Sequence, residues 1–349
     1  VGQDLEQSSS TTTIAAIGAL LGVTSESDEI VVGSWDGSGE VVSPAGQETE
    51  IVVVDITGTD PVEVAIPESL STNPVWIFDT NADVTVRFNT VERVIQMGNG
   101  SDDVTVVGDK NTTLLGMGGN DLLATSGGND SIEGGNGNDT IDAGAGNDTI
   151  NGVLNFDTVD GGTGFDLMLL AGDVSNWTVS VVGDDVVFNS TFITDSLGNQ
   201  TNATISNVEM VQIAESAAEL TQFSYIITQD GDTADAMRLY QTALGRSADY
   251  DGAQFWLDAV DAGVSIEQLA TDFASSAEFA SIWADIDTNT ELVTQIYTNA
   301  FGTGPDDEGL AFWVDALDNG LSTGDFIAAI ASSEDAASIY NVIVVGDIV

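Results

Sequence analysis

The sequence predicts a mainly β chain, a repeat-built body with flanking strands, that ends in an all-α domain. Three observations predict it. Short runs rich in Val, Ile and Thr alternate with Gly, Asn, Asp and Pro from Ile30 onward; six nonapeptides follow one another without a break from Gly116 to Leu169; and beyond residue 229 apolar residues step by threes and fours. Composition limits the rest. The 349 residues carry 57 Asp and Glu against 5 Lys and Arg, a formal charge of −52, and such a surface repels nucleic-acid backbones and anionic membrane surfaces. Hydrophobic residues still make up 42%, which separates the chain from the low-hydropathy disordered class. With no Cys and no His, disulfide scaffolds, thiol nucleophiles, Ser-His-Asp triads and His-based zinc sites are excluded.

In chain order, residues 1–28 join a polar run, Ser8 to Thr13, to the apolar stretch Ile14 to Val23 and predict an N-terminal arm. That stretch is about half the ~20 residues a bilayer span needs and lacks the basic flank of a signal peptide, so no direct membrane insertion is expected. Residues 29–96 form a β region, with strand segments at Ile30–Val32, Ile51–Val54, Val75–Phe78 and Val84–Val86 separated by turn residues. Residues 97–170 hold the repeat. Asp121, Asp130, Asp139, Asp148, Asp157 and Asp166 fall on a strict nine-residue spacing, and Leu123, Ile132, Ile141, Ile150, Val159 and Met168 follow two residues behind them, facing the interior. A seventh, partly matching unit, Gly98 to Thr105, carries Asp102 at 19 residues from Asp121, so the register slips once, around Lys110. Glycines at positions one, two and four (among them Gly135, Gly137, Gly144, Gly146, Gly162 and Gly164, with Gly119 and Gly128 at position four) are expected to adopt backbone conformations that turn carbonyl oxygens inward. Together with the Asp carboxylates they form an oxygen-only donor set, which suits the hard cation Ca²⁺.

This G-G-x-G-x-D-x-U-x pattern resembles the calcium-binding repeats of the RTX (repeats-in-toxin) family. The resemblance implies a parallel β-roll, a solenoid with two nonapeptides per coil, whose loops eighteen residues apart stack and hold Ca²⁺ between them. It pairs Asp121 with Asp139, Asp139 with Asp157, Asp130 with Asp148 and Asp148 with Asp166, leaving Asp121 and Asp166 at the ends of their rows. Two units depart from the pattern, one with Thr125 and Ser126 for its first two glycines, the other with Asn155 at position four. Residues 171–228, with NWTVSVVGDDVVFNS and ATISNVEMVQIAES, resemble the β strands that cap such rolls.

Residues 229–342 are a helical domain of two related units. LYQTALGRSADYDGAQFWLDAVDAGVS, from Leu239, realigns with IYTNAFGTGPDDEGLAFWVDALDNGLS, from Ile296, at a constant offset of 57. Gly263 and Gly320 suit helix ends, and Ser265 with Gln268 predicts a capping box. The repeat resembles a domain of unknown function found in many secreted bacterial proteins, although Thr303 replaces Arg246 in the second copy. Its repeated Tyr and Trp residues are expected in the core. Asp285, Asp287 and Asn289 begin like a calcium loop of the EF-hand type, but Thr290 and Ile296 stand where Gly and a bidentate Glu are required, so a plain interhelical loop is expected. In the tail, 343–349, the RTX resemblance implies an uncleaved signal for type I export, while the residues alone suit a last strand.

No catalytic residue set is visible, and the chain is not expected to be an enzyme. The expected function is that of a secreted bacterial protein, extracellular or at the cell surface, that binds calcium and self-assembles as a homo-oligomer or polymer into a surface layer or filament. The alternative is an extracellular carbohydrate-binding adhesin, or a polysaccharide-degrading enzyme with an RTX module, directed at cell-surface polysaccharide. An elongated cleft with exposed aromatics near Trp35, Trp76 or Trp177 would favour the alternative, and packed aromatics would favour assembly.

Overall fold

The structure is a computed structural model that describes residues 32–35, 50–66, 68–89, 91–151, 155–194, 200–214, 224–228, 231–246, 248–337 and 342–344. The expected arm at 1–28 and the tail from residue 345 onward lie outside them. The chain divides into two compact units, Val1–Val208 and Glu209–Val349; the division falls inside the segment 171–228.

In the first unit the strands are, in chain order, β1 (Val32–Trp35), β2 (Ile51–Asp55), β3 (Val62–Val64), β4 (Val75–Asp79), β5 (Val84–Phe88), β6 (Arg93–Gln96), β7 (Asp103–Val106), β8 (Thr112–Leu115), β9 (Leu122–Ala124), β10 (Ser131–Glu133), β11 (Thr140–Asp142), β12 (Thr149–Asn151), β13 (Phe156–Asp160), β14 (Leu167–Ala171), β15 (Trp177–Val182), β16 (Asp185–Thr194) and β17 (Gln200–Ser206). From β2 to β14 successive strands alternate between two parallel sheets. One runs β1-β2-β4-β6-β8-β10-β12-β14, the other β15-β16-β17-β13-β11-β9-β7-β5-β3. Each coil is two strands and two turns, so a strand meets its partner eighteen residues on, as Ser131 meets Thr149 and Thr140 meets Thr158. Because each strand is only three to five residues long here, one apolar side chain per nonapeptide suffices to fill the interior. Leu123, Ile132, Ile141, Ile150, Val159 and Met168 are all at most 1% exposed.

The expected β region joins the same two sheets. Its coils are larger, Ile51 pairing with Val75, and aromatic side chains fill the added space. Trp76 meets Phe88 edge-on at 5.5 Å between ring centroids, and Phe78 meets Phe88 likewise at 6.4 Å. Arg93 is buried over the Phe88 ring at 5.2 Å and donates to the Asn73 and Ser71 carbonyls and to Asn89 Oδ1. The register slip is visible as well. Asp103 pairs with Leu122, 19 residues on, but Thr113 pairs with Ser131, 18 on, which places the extra residue in the turn 107–111 around Lys110. After β14 the chain turns antiparallel through β15, β16 and β17, and β17 lies parallel to β13.

The second unit has strands β18 (Met210–Ala214), β19 (Ser224–Thr228) and β20 (Val342–Val344), with β20 parallel to β19, so the start of the tail is a strand. Its helices are α1 (Gly231–Leu244), α2 (Tyr250–Asp261), α3 (Ile266–Ala274), α4 (Ala277–Ile282), α5 (Asn289–Phe301), α6 (Asp307–Asp318), α7 (Thr323–Ala331) and α8 (Glu334–Ala337). The 57-residue offset governs boundaries as well as side chains. Asp249 and Asp306 cap α2 and α6, Ser265 and Ser322 cap α3 and α7, and Gly245 and Gly302 both follow their helices at φ +69°. The expected capping box at Ser265 is half formed: the Ser265 hydroxyl accepts from the Gln268 N–H, but the Gln268 side chain turns to Asp272. The reciprocal box lies at Thr288 and Glu291, opening α5. Asn289 therefore starts a helix instead of continuing an ion-binding loop. Tyr240 is buried edge-on against Phe273, as expected of a core aromatic, while Trp256, which stacks on Phe273 at 4.5 Å, and Tyr297 and Trp313 of the second copy are half-buried. Among the described residues no helix is long and apolar enough to cross a membrane.

Trp76→Ala, which empties the aromatic cluster, should destabilise the first unit by about 3–5 kcal/mol. Val182→Ala, at a 62% exposed site, should cost less than about 0.5 kcal/mol. Urea unfolding followed by tryptophan-independent circular dichroism gives the comparison.

Candidate metal centre

Position six of each nonapeptide enters a strand directly after a turn, and this places its Asp at the rim of the coil with the side chain beneath the neighbouring turn. Asp102, Asp121, Asp130, Asp139, Asp148, Asp157 and Asp166 are all at most 3% exposed. The main-chain N–H of each Asp donates to Oδ1 of the Asp one coil further on: Asp102 to Asp121 at 2.8 Å, Asp121 to Asp139 at 2.9 Å, Asp139 to Asp157 at 2.7 Å, Asp130 to Asp148 at 2.7 Å and Asp148 to Asp166 at 2.8 Å. Two rows result, one along each edge of the stack. Val84 N–H opens the first row onto Asp102 at 2.7 Å, and Thr112 N–H opens the second onto Asp130 at 2.6 Å. The pairing inferred from the sequence is present, with one correction. Asp121 is not an end of its row, because Asp102 stacks beneath it in spite of the 19-residue spacing.

The second carboxylate oxygen gives the site its chemistry. Oδ2 of Asp102, Asp121, Asp139 and Asp148 is buried without a hydrogen-bond partner, a costly state for a charged group in a region poor in water. Burial accordingly raises the Asp102 and Asp148 carboxyls to about 7 and Asp121 to about 8, with the neighbouring carboxylates of the row adding to the rise. Asp130 rises by burial only to about 6, held down by the Thr125 hydroxyl and the Thr112 N–H. Arginine and lysine provide no relief along the rows. Lys110, in the extra-residue turn, pairs with Asp109 at 3.7 Å.

Glycine makes room for these oxygens. The eight glycines singled out in the sequence all have positive φ, from +96° at Gly144 to +135° at Gly137, and a side chain at Gly137 would collide with the Gly119 carbonyl one coil back. Met117 holds the same conformation at position two with φ +74°. The glycines at position one act differently from the backbone role expected of them. A Cβ at Gly116, Gly134 or Gly161 would stand 2.5, 2.6 or 2.7 Å from Oδ2 of Asp121, Asp139 or Asp166. These residues are invisible to a search for ligands because they contribute an absence of atoms. A second missed feature is the column of Asn at position five: Asn120, Asn129 and Asn147 accept at Oδ1 from the N–H of Asn138, Asn147 and Phe165 one coil on, at 2.8, 3.0 and 3.0 Å. The two divergent units behave differently. Thr125 and Ser126 donate their hydroxyls to the Ala143 and Val106 carbonyls, whereas Asn155 N–H approaches Asp157 Oδ2 at 3.4 Å.

Each coil brings one carboxylate to each edge, and among the described residues no group of three or more acidic side chains gathers at a point. A cation held there must take its remaining oxygens from main-chain carbonyls, which is a calcium-like donor set. Residues 115–150 match the family described as RTX calcium-binding nonapeptide repeat (4 copies). The nonapeptides are RTX calcium-binding repeats. They bind calcium, and such repeats typify secreted bacterial proteins. The buried, partnerless Oδ2 atoms fit that ion: Asp102, Asp121, Asp139 and Asp148 would hold it, and it would supply the positive charge their surroundings lack. Residues 231–283 and 270–340 match a domain of unknown function (DUF4214), one match for each helical repeat. No curated protein and no solved structure matches the chain.

Without calcium, the raised carboxyls mean that the folded chain holds more protons than the unfolded one between about pH 4 and pH 8. The chelated protein therefore loses stability as pH rises through that window, with a melting temperature several degrees lower at pH 8 than at pH 5, and saturating calcium removes most of the difference. Equal melting temperatures at both pH values in chelator would contradict this. Gly134→Ala should displace the Asp139 carboxylate and lower calcium affinity about tenfold or more, whereas Gly118→Ala, where a Cβ meets nothing closer than 3.6 Å, should leave a calorimetric titration unchanged.

Proposed function

We propose that this is a secreted, calcium-loaded structural protein that self-assembles outside the cell as a surface layer or filament. The observation that carries this reading is the double row of buried carboxylates on a stack of coils whose second sheet ends, among the described residues, on β3 at one side and β15 at the other. A strand at the end of a sheet offers unpaired N–H and C=O groups to another chain. Copies at −52 repel one another over a range of about 8 Å at physiological salt, so calcium both completes the rows and screens the approach. Trp76 and Trp177 support assembly over sugar recognition. Both are buried, and their indole N–H groups donate to the Asn73 and Ala171 carbonyls instead of facing a cleft. In this reading the protein is not an enzyme, and its export follows the type I route.

Negative-stain microscopy and light scattering provide the test. In calcium near the 10⁻⁴–10⁻³ M typical of extracellular sites and above, ordered polymers should form, and chelator should disperse them. A protein that stays monomeric at every calcium and protein concentration, yet binds or cleaves a polysaccharide, would transfer the assignment to the adhesin or polysaccharide-degrading class.

A further inference from the structure

We infer that the helical unit carries a duplicated docking face for a basic polypeptide partner, centred on Phe255 and Phe312. These two rings are each 63% exposed, the most exposed large apolar side chains among the described residues, and they occupy the same position in the two copies of the repeat, on α2 and α6. Neither ring is loose. Phe255 rests edge-on against Trp256 at 4.9 Å and Phe312 against Trp313 at 5.0 Å; Trp256 in turn stacks on Phe273, and the Trp313 indole N–H donates to the Tyr297 hydroxyl at 2.9 Å. An aromatic side chain held rigidly at the surface by a packed layer beneath it is a typical binding anchor.

The surroundings select the partner. Residues at i−4 and i+3 share a helix face with residue i, and at both sites those positions are exposed acids: Asp251 and Asp258 around Phe255, Glu308 and Asp315 around Phe312. The two arginines of this unit are engaged elsewhere, Arg238 with Asp235 and Arg246 with Glu278 and Asp249. A ring face bracketed by two carboxylates accepts an Arg or Lys side chain, whose stem covers the ring while its charged end reaches the acids. A second copy of this chain is a poor occupant, since it would bring more of a surface with 57 acids and 5 bases. Two such sites in one unit let a partner with two suitably spaced basic residues bind with the second contact already intramolecular. This inference is independent of whether the chain polymerises.

The probe is a fluorescent oligo-arginine peptide, titrated by anisotropy against the calcium-loaded full chain. Phe255→Ala with Phe312→Ala leaves the net charge unchanged, so any bulk attraction is retained; the double variant should bind about tenfold more weakly, and each single variant should fall between. Phe255→Leu with Phe312→Leu keeps an apolar surface without a ring face and should be equally weak. Wild-type affinity in the alanine pair would reduce the binding to bulk charge and overturn the proposal. Wild-type affinity in the leucine pair would overturn the role of the ring face. Sedimentation showing a wild-type oligomer that the alanine pair abolishes would make a second copy the occupant and overturn it as well.

Discussion

A main-chain N–H reaching forward to the carboxylate of the next coil is the contact on which the first unit depends. It ties neighbouring coils at their edges, one rung of hydrogen bond at 2.7–2.9 Å recurring along both rows beside the parallel main-chain ladders of the two sheets. It also leaves the second carboxylate oxygen of Asp102, Asp121, Asp139 and Asp148 buried without a partner. Stability and ion demand thus come from the same side chain: an Asp that had its second oxygen in water would stack no better, and would have no need of a cation.

Much of this was legible in the residues. The nine-residue spacing exposed the repeat, the RTX resemblance implied two repeats per coil, the eighth position exposed the inner column, and the offset at Lys110 located the extra residue. Ser265 marked a helix start by its own chemistry, and the 57-residue offset carries that cap to Ser322, while the capping by Asp249 and Asp306 emerged only with the structure. What escaped depended on atoms that are missing or on contacts across coils. Gly116 and Gly134 act by lacking a Cβ, and the Asn column becomes meaningful only when Asn120 and Asn138 lie one above the other. The upstream coils were expected as part of one continuous solenoid-like body, and only their filling escaped. Their spacing is irregular, so that Trp76, Phe78 and Phe88 look like ordinary strand residues until the enlarged interior that needs them is seen.

The helical repeats show how a duplication diverges without losing its frame. In the first copy Arg246 lies over Tyr240 at 5.2 Å and clamps Glu278 and Asp249. In the second copy Thr303 stands at that position, and the corresponding Tyr297 accepts from Trp313 and meets Phe301 at 5.2 Å. The helix boundaries are unaffected, so the frame rests on caps and apolar packing, and the ion-pair position is free to vary. That freedom accounts for a domain that keeps its fold on a surface with few cations.

The rows of Asp also have a direction. Every rung donates from a coil nearer the N-terminus to a carboxylate nearer the C-terminus, as Asp139 does to Asp157 and Asp148 to Asp166. The two ends of the stack are therefore chemically unlike, and at the N-terminal side it presents carboxylates that take a donor, which Val84 and Thr112 provide. The stack is thus polar: a coil placed before another has to bring an N–H to the rung, and a coil placed after it has to bring a carboxylate.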